Sequence, residues 1–274
     1  MLEIMLPALV VSLILVGMHA YLGIHVIARG VIFVDLALAQ VAALGWAAAS
    51  VAGVSSDLGA YLTGLGATLL AAALFSVTRM SHRYITQEAI IGIVFVVASA
   101  ATILLAAQAP RGAEHVEELL TGTLLWVTWP QIVRIAVVYA AIGLCHWLLR
   151  RRFLGISLAP DMARAAGWSV RAWDFLFYAL FGVVVTLSVA VAGVLLVFVF
   201  LVIPAVIAFL FTNRPGPLLA IAWVSGGAAA VGGLWLSFVT DLPTGPVVVC
   251  SFAATLGLAF VVRRLWTHDE IHDG

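Results

Sequence analysis

Apolar residues run through this chain in blocks of about twenty, and the polar positions gather in short stretches between them. Nine blocks are long enough to cross a bilayer or nearly so: 4–28, 31–53, 58–77, 85–107, 132–149, 175–190, 194–212, 218–239 and 246–262. The runs are continuous and do not alternate with period two, which excludes a closed β-barrel. The pattern predicts an all-α, polytopic integral membrane protein with eight or nine transmembrane helices. The count turns on 183–211, where only Gly193 and Pro204 punctuate one apolar stretch. Pro204 predicts a kink that frees a backbone carbonyl, either a hinge or a static packing feature.

The placement of arginine sets the orientation. Arg29, Arg79 and Arg83, Arg150 to Arg152 with Arg164 and Arg171, Arg214, and Arg263 with Arg264 fall in alternate connections, which are therefore expected on the cytoplasmic side. That puts the N-terminus outside and, with nine spans, the C-terminus inside. The first block lacks a basic leader and a small-residue cleavage site, so it reads as a retained span. The longest cytoplasmic connection, RRRFLGISLAPDMARAAGWSVRAWD, predicts a short helix along the inner face, started by Pro160 and Asp161 and stopped by Gly167. It is either an ordinary amphipathic surface helix or a docking element for a cytoplasmic partner.

Composition agrees with a membrane protein and adds two exclusions. The 274 residues are 64% hydrophobic and 9% charged, with mean hydropathy +1.18. The formal net charge is zero, so no nucleic-acid partner is indicated. Cys145 and Cys250 lie far apart in apolar runs and read as buried thiols, with no disulfide framework. No GxxxxGK[ST] phosphate loop is present.

Few polar residues lie inside the apolar blocks. RGVIFVDLALAQVAALG carries Asp35 and Gln40, and an intramembrane carboxylate is costly enough to suggest function. The alternative is that Asp35 sits near the cytoplasmic end, pairing with Arg29 or capping a helix. Five residues apart, Asp35 and Gln40 diverge by about 140° on a regular α-helix. A π-bulge would bring them together. Otherwise Asp35 faces a pathway and Gln40 hydrogen-bonds to a neighbouring helix. His19 and His25 lie in the first block, and His25 either joins Asp35 in a pathway or is a satisfied histidine at a helix end. Glu88 begins the fourth block and reads as a capping residue. Polar groups also occur at Glu114, His115, Glu117 and Glu118, and in the tail at His268, Asp269, Glu270, His272 and Asp273. The first set is either an outer cation-attracting patch or a solvated face. The second is either a weak metal-sensing tail or a polar terminus.

Four stretches, GIHVIARGVIFVDLALAQVAALG, TQEAIIGIVFVVASA, SLAPDMARAAGWSV followed by VAGVLLVFVFLVIPAVIA, and DLPTGPVVV, occur in an order that resembles the ABC-3 type permeases. These are the membrane subunits of ATP-binding-cassette importers for zinc, manganese or iron. The resemblance implies a single permease domain over 1–274, with an ATPase-coupling loop at about 151–173. Within that loop it implicates Ser157, Pro160, Asp161, Ala163 and Gly167. It implies a cytoplasmic ABC ATPase subunit, a periplasmic or lipid-anchored metal-binding protein and a second copy of the chain as partners. The location would be the bacterial cytoplasmic membrane. The permease itself would bind no cofactor and catalyse nothing; a divalent metal, zinc or manganese ahead of iron, would be its cargo. Family members usually place an Asp and a His four residues apart in the second span. Here the His position falls on Gln40, and Asp35 sits one residue early. The resemblance also draws attention to Asp241, which otherwise reads as a turn residue before Pro243. The implied metal path is therefore Asp35, Gln40, Asp241 and His25. The competing functions are a gradient-driven secondary transporter, for which no clear repeat is visible, and a lipid-active enzyme, which would need a compact catalytic cluster at one membrane depth.

Overall fold

The computed structural model describes residues 2–54, 56–78, 85–108 and 122–272, with side chains excepted at 2–4, 57 and 267–272. Every regular element among the described residues is helical. In chain order they are α1 (Leu2–Arg29), α2 (Val34–Val51), α3 (Asp57–Thr78), α4 (Gln87–Ala106), a 3-10 turn (Leu124–Trp126), α5 (Trp129–Leu148), α6 (Arg150–Leu158), α7 (Pro160–Ala165), α8 (Val170–Phe211), α9 (Pro215–Thr240) and α10 (Thr244–His272). Eight of these helices are long and apolar enough to cross a membrane.

One of the eight is 42 residues long, about 63 Å if straight, which is twice the hydrocarbon thickness. It is not straight. Gly193 has φ 73° and ψ 163°, outside the helical region. Phe177, before the break, lies 5.7 Å from the His25 ring, centroid to centroid. Leu201, after the break, presses its carbonyl oxygen against Gly23, where a Cβ would sit only 1.9 Å away. Both ends thus meet the same turn of α1, although a straight helix would hold them roughly 36 Å apart. The chain therefore folds back at Gly193, giving two span-length arms, 170–192 and 194–211. Among the described residues this gives nine helical segments of about spanning length, the higher of the two counts the sequence allows. Gly193 makes the reversal, and Pro204 lies inside a continuing helix, packed against Gly226. The reversal is braced by the segment that leads into α5: Thr123 N–H donates to Val191 C=O (2.9 Å), and Gly122 lies directly on the backbone of Ala192 and Gly193.

α1 is the axis of the fold. It packs on both arms of α8, on α9 and on α5 and α6, while α2 packs on α3, α4 and α8. Lipid tails are as apolar as leucine, so helix association depends on close approach at small residues. Gly23 admits Leu201, Gly45 admits the backbone at Thr63 and Gly64, and Gly226 admits Val16 and Pro204. α4 and α10 bury the smallest share of their residues and lie at the periphery. Cys250 is exposed there and Cys145 is only half-buried, so the expectation of two buried thiols fails. Both are free, because α5 and α10 place them on separate surfaces.

The tight approach at Gly23 leads to a direct comparison. Gly23→Ala drives a methyl group into the Leu201 carbonyl, and overpacking of this kind costs about 1–3 kcal/mol or more. Nothing lies within 4 Å of the Cβ position at Gly17, six residues earlier on the same helix. Thermal unfolding in detergent should show Gly23→Ala melting well below wild type, and Gly17→Ala at or above it. Equal melting temperatures for the two variants would refute this account of the α1–α8 contact.

Candidate translocation site

Polar side chains buried among these helices fall into two groups, those with partners and those without. His19 belongs to the first. Its Nδ1 lies 2.8 Å from the Leu15 carbonyl oxygen, which can only accept, so that nitrogen carries the proton. Its Nε2 then meets the Ser188 hydroxyl at 3.1 Å, and Ser188 also bonds to Tyr139. His19 is a satisfied core histidine that links α1 to α8.

Asp35 belongs to the second group. It stands in the first turn of α2, only 1% exposed, and its Oδ1 has no hydrogen-bond partner. Two bland roles were open to it, and it fills neither. It forms no side-chain cap at the start of α2. It does not pair with Arg29, whose Nη1 donates to Asp174 Oδ1 at 2.6 Å and whose Nε donates to Ser157 Oγ at 2.8 Å. What favours a carboxylate here is the partial positive charge of the helix N-terminus.

Gln40 is half-buried, and α2 runs as a regular α-helix past it. No π-bulge brings it round to Asp35. Nor does it form the interhelical hydrogen bond expected of it among the described residues. Glu88 supplies what the sequence reading missed. Thr86 caps α4, accepting from Ala89 N–H, and Glu88 reaches across to α2, where its Oε1 accepts the Phe33 N–H at 3.0 Å. Its Oε2 is buried without a partner. Two carboxylates, each with a partnerless buried oxygen, therefore flank the N-terminus of α2. The signal available in the sequence was a carboxylate at the mouth of the next inward-starting helix, which local capping accounted for equally well.

The other proposed ligands stand elsewhere. His25 is buried with its Nδ1 2.8 Å from Ser157 Oγ, beside the rings of Tyr21 and His146, and it does not touch Asp35. Asp241 is exposed at the C-cap of α9 with φ 55°, the left-handed conformation that Asp tolerates in turns. Its helix is not among the main packing partners of α2. Among the described residues no three His, Cys, Asp or Glu side chains cluster closely enough to hold a metal ion. Residues 114–118 and 273, and the side chains of 268–272, lie outside the described residues.

The loop after α5 forms as its sequence predicts, with one addition and one correction. The addition is α6, which occupies the stretch before Pro160. α7 starts with Pro160 in its first turn and ends at Gly167, whose φ is 71°, with Trp168 N–H closing on Ala163 C=O at 3.1 Å. Asp161 and Arg164 pair on its exposed face at 3.0 Å. The correction concerns Ser157 and Ala163. Both are buried, so neither is presented to a partner. Ser157 instead anchors the loop to α1 by accepting from Arg29 and bonding His25, while Asp161, Met162, Arg164 and Gly167 make the open surface.

Comparison with known proteins agrees with this architecture. The family model described as the ABC 3 transport family matches residues 1–263. The chain is 26% identical to the chelated iron transport system membrane protein YfeC of Yersinia pestis, over 89% of this chain and 81% of that one. It is 27% identical to the manganese transport system membrane protein MntC of Halalkalibacterium halodurans, over 92% and 88%. In fold it resembles a chain of PsaBC from Streptococcus pneumoniae, solved in complex with Fab, with a TM-score of 0.76 at 24% identity, covering 93% of this chain and 90% of that one. Nearly the whole length is matched by one family model: the chain belongs to the ABC 3 transport family.

Proposed function

We propose that this chain is the permease subunit of an ABC importer for a divalent metal ion, with Mn²⁺ or Fe²⁺ ahead of Zn²⁺. The observation that carries the reading is Asp35, an almost fully buried carboxylate with a partnerless oxygen, at the positive end of a membrane helix. A protein in hydrocarbon does not keep such a group for stability, because an unpaired buried charge costs free energy. A passing cation compensates that cost while it is present. Oxygen donors at Asp35 and Glu88 suit Mn²⁺ better than Zn²⁺, which prefers imidazole and thiolate. The names of the manganese and iron relatives point the same way.

The described residues of one chain offer too few ligands in one place, so the path is completed by water, by a second copy or by both. A separate ATPase supplies the energy from the cytoplasmic side, docking on α7. A binding protein delivers the metal to the opposite side. The membrane is the bacterial cytoplasmic membrane, with the arginine-rich face inward. A gradient-driven secondary transporter is not favoured, since the family is one of ATP-driven systems.

The deciding experiment is uptake of manganese, iron and zinc in a transport-deficient strain that supplies this chain with its neighbouring ATPase and binding-protein genes. Wild type should take up at least one of the metals in an ATP-dependent manner. Asp35→Ala should lower that uptake at least tenfold, roughly the effect of losing 1.4 kcal/mol, while the complex still co-purifies. Normal transport by Asp35→Ala would overturn the reading.

Two further outcomes follow. Asp35→Asn keeps the shape of the side chain and removes a charge that has no protein partner, so its melting temperature in detergent should equal or exceed that of wild type. A marked fall would mean that Asp35 serves the fold. At Gly167 a β-branched residue is strained by φ 71°, at a cost of about 1–2 kcal/mol. Gly167→Val should reduce ATPase co-purification from detergent extracts without loss of the membrane-inserted chain. Full retention of the ATPase would argue against α7 as its docking element.

A further inference from the structure

The inner end of α1 holds a buried charge network that transport chemistry at Asp35 does not itself require. Arg29 lies in the last turn of α1 with its side chain 1% exposed, and its partner Asp174 on α8 is fully buried. The guanidinium bonds Asp174 at 2.6 Å and Ser157 of α6 at 2.8 Å, and it lies 4.0 Å above the Phe177 ring. Ser157 is also bonded to His25, one turn back on α1. A second tie runs in parallel. Tyr21 of α1 bonds His146, and His146 stacks on Phe153 of α6 at 4.1 Å between centroids. Arg152 of α6 in turn covers the Trp168 ring at 4.2 Å. α1, α6 and the start of α8 are thus locked into one body.

This body has an open side. A pocket of about 330 Å³ lies on the arginine-rich face, lined by Arg164, Trp168, Ser169, Val170, Arg171 and Asp174. Asp174, itself fully buried, lies behind the wall of this pocket beside α7 and holds the end of α1. On its other side, Arg29 is separated from α2 only by the turn at 30–33, where Gly30 has φ 67°. Asp35 follows in the first turn of α2. A path of bonded and packed groups runs from pocket to carboxylate, through Asp174, Arg29 and one short turn. A buried ion pair is costly to break once made, so its two elements move together.

We propose that Arg29 and Asp174 are positioning residues that transmit movement of the cytoplasmic loop to the N-terminus of α2, keeping ATP hydrolysis in step with metal passage at Asp35. This rests on the reading of α7 as the ATPase docking element. The two residues touch neither the metal nor the nucleotide. They set how tightly one event follows the other.

The test is the ratio of metal transported to ATP hydrolysed, measured with manganese on the complete complex in proteoliposomes. Arg29→Gln and Asp174→Asn should each co-purify with the ATPase and still hydrolyse ATP. Each should lower the ratio at least tenfold. Reversing the pair, Arg29→Glu with Asp174→Arg, should restore most of it, which a purely structural role would not require. An unchanged ratio in assembled single variants, even with both rates reduced, would overturn the proposal. So would failure of both single variants and of the reversed pair to assemble, since the network would then serve folding alone. If the wild-type chain binds no ATPase, the docking reading falls and the proposal with it. If wild type couples and the variants couple equally well, only the proposal falls.

Discussion

In a bilayer, a polar group that finds no partner inside the protein finds none at all. That constraint organises this molecule. It is why buried His19, Tyr139, Ser188, Arg29, Ser157 and Asp174 are bonded to one another across helices. It also gives meaning to the groups that escape the pairing. A partnerless carboxylate on the surface of a soluble protein says nothing, because water serves it. The same group at Asp35, sealed among α2 and its neighbours, is an unmet demand built into the fold. Paired polar groups thus bind the helices together, while the buried oxygens at Asp35 and Glu88 are left unmatched within the chain.

The packing follows from the second half of the same constraint. Without water to drive the helices together, contact must be gained by proximity. The glycines at 23, 45 and 226 provide it, each at a crossing of α1 or α2 with a neighbour or of α9 with the bundle axis. α1 therefore touches elements from both halves of the chain. It can serve as an axis because it is apolar all round and carries its few polar residues where they meet partners on α5, α6 and α8.

Much of this was legible in the sequence, and the rest was hidden for identifiable reasons. Span positions follow from apolar run length, a one-dimensional property, and among the described residues the nine runs lie in helices of about spanning length. The start and stop of α7 at Pro160 and Gly167 follow from local backbone chemistry and came out as expected. The reversal within α8 was less clear, since Gly193 and Pro204 both break patterns and only tertiary contacts show which one turns the chain. Charge partners were the least legible. Arg29 is six residues from Asp35 and far in sequence from Asp174, yet it bonds the distant one. Glu88 looked like a cap for its own helix and acts on another. Ser157 looked like part of a docking surface because its segment is polar, but its hydroxyl faces inward. Residue type predicts what a side chain needs; only the fold tells which neighbour supplies it.

The joint between Gly122 and Gly193 has a consequence for biogenesis. It closes a circuit of chain that contains α5, α6, α7 and the first arm of α8. During synthesis Gly122 enters the membrane long before Gly193 leaves the ribosome. Until then, α5 has only part of its final setting, and the buried pair between Arg29 and Asp174 can tie the earliest helix only to the ascending arm. The seam at Val191 is completed only once the arm has crossed, and the descending arm must then insert antiparallel to it and parallel to α1. The chain thus commits to its topology late, at a single glycine, after most of its spans have been placed.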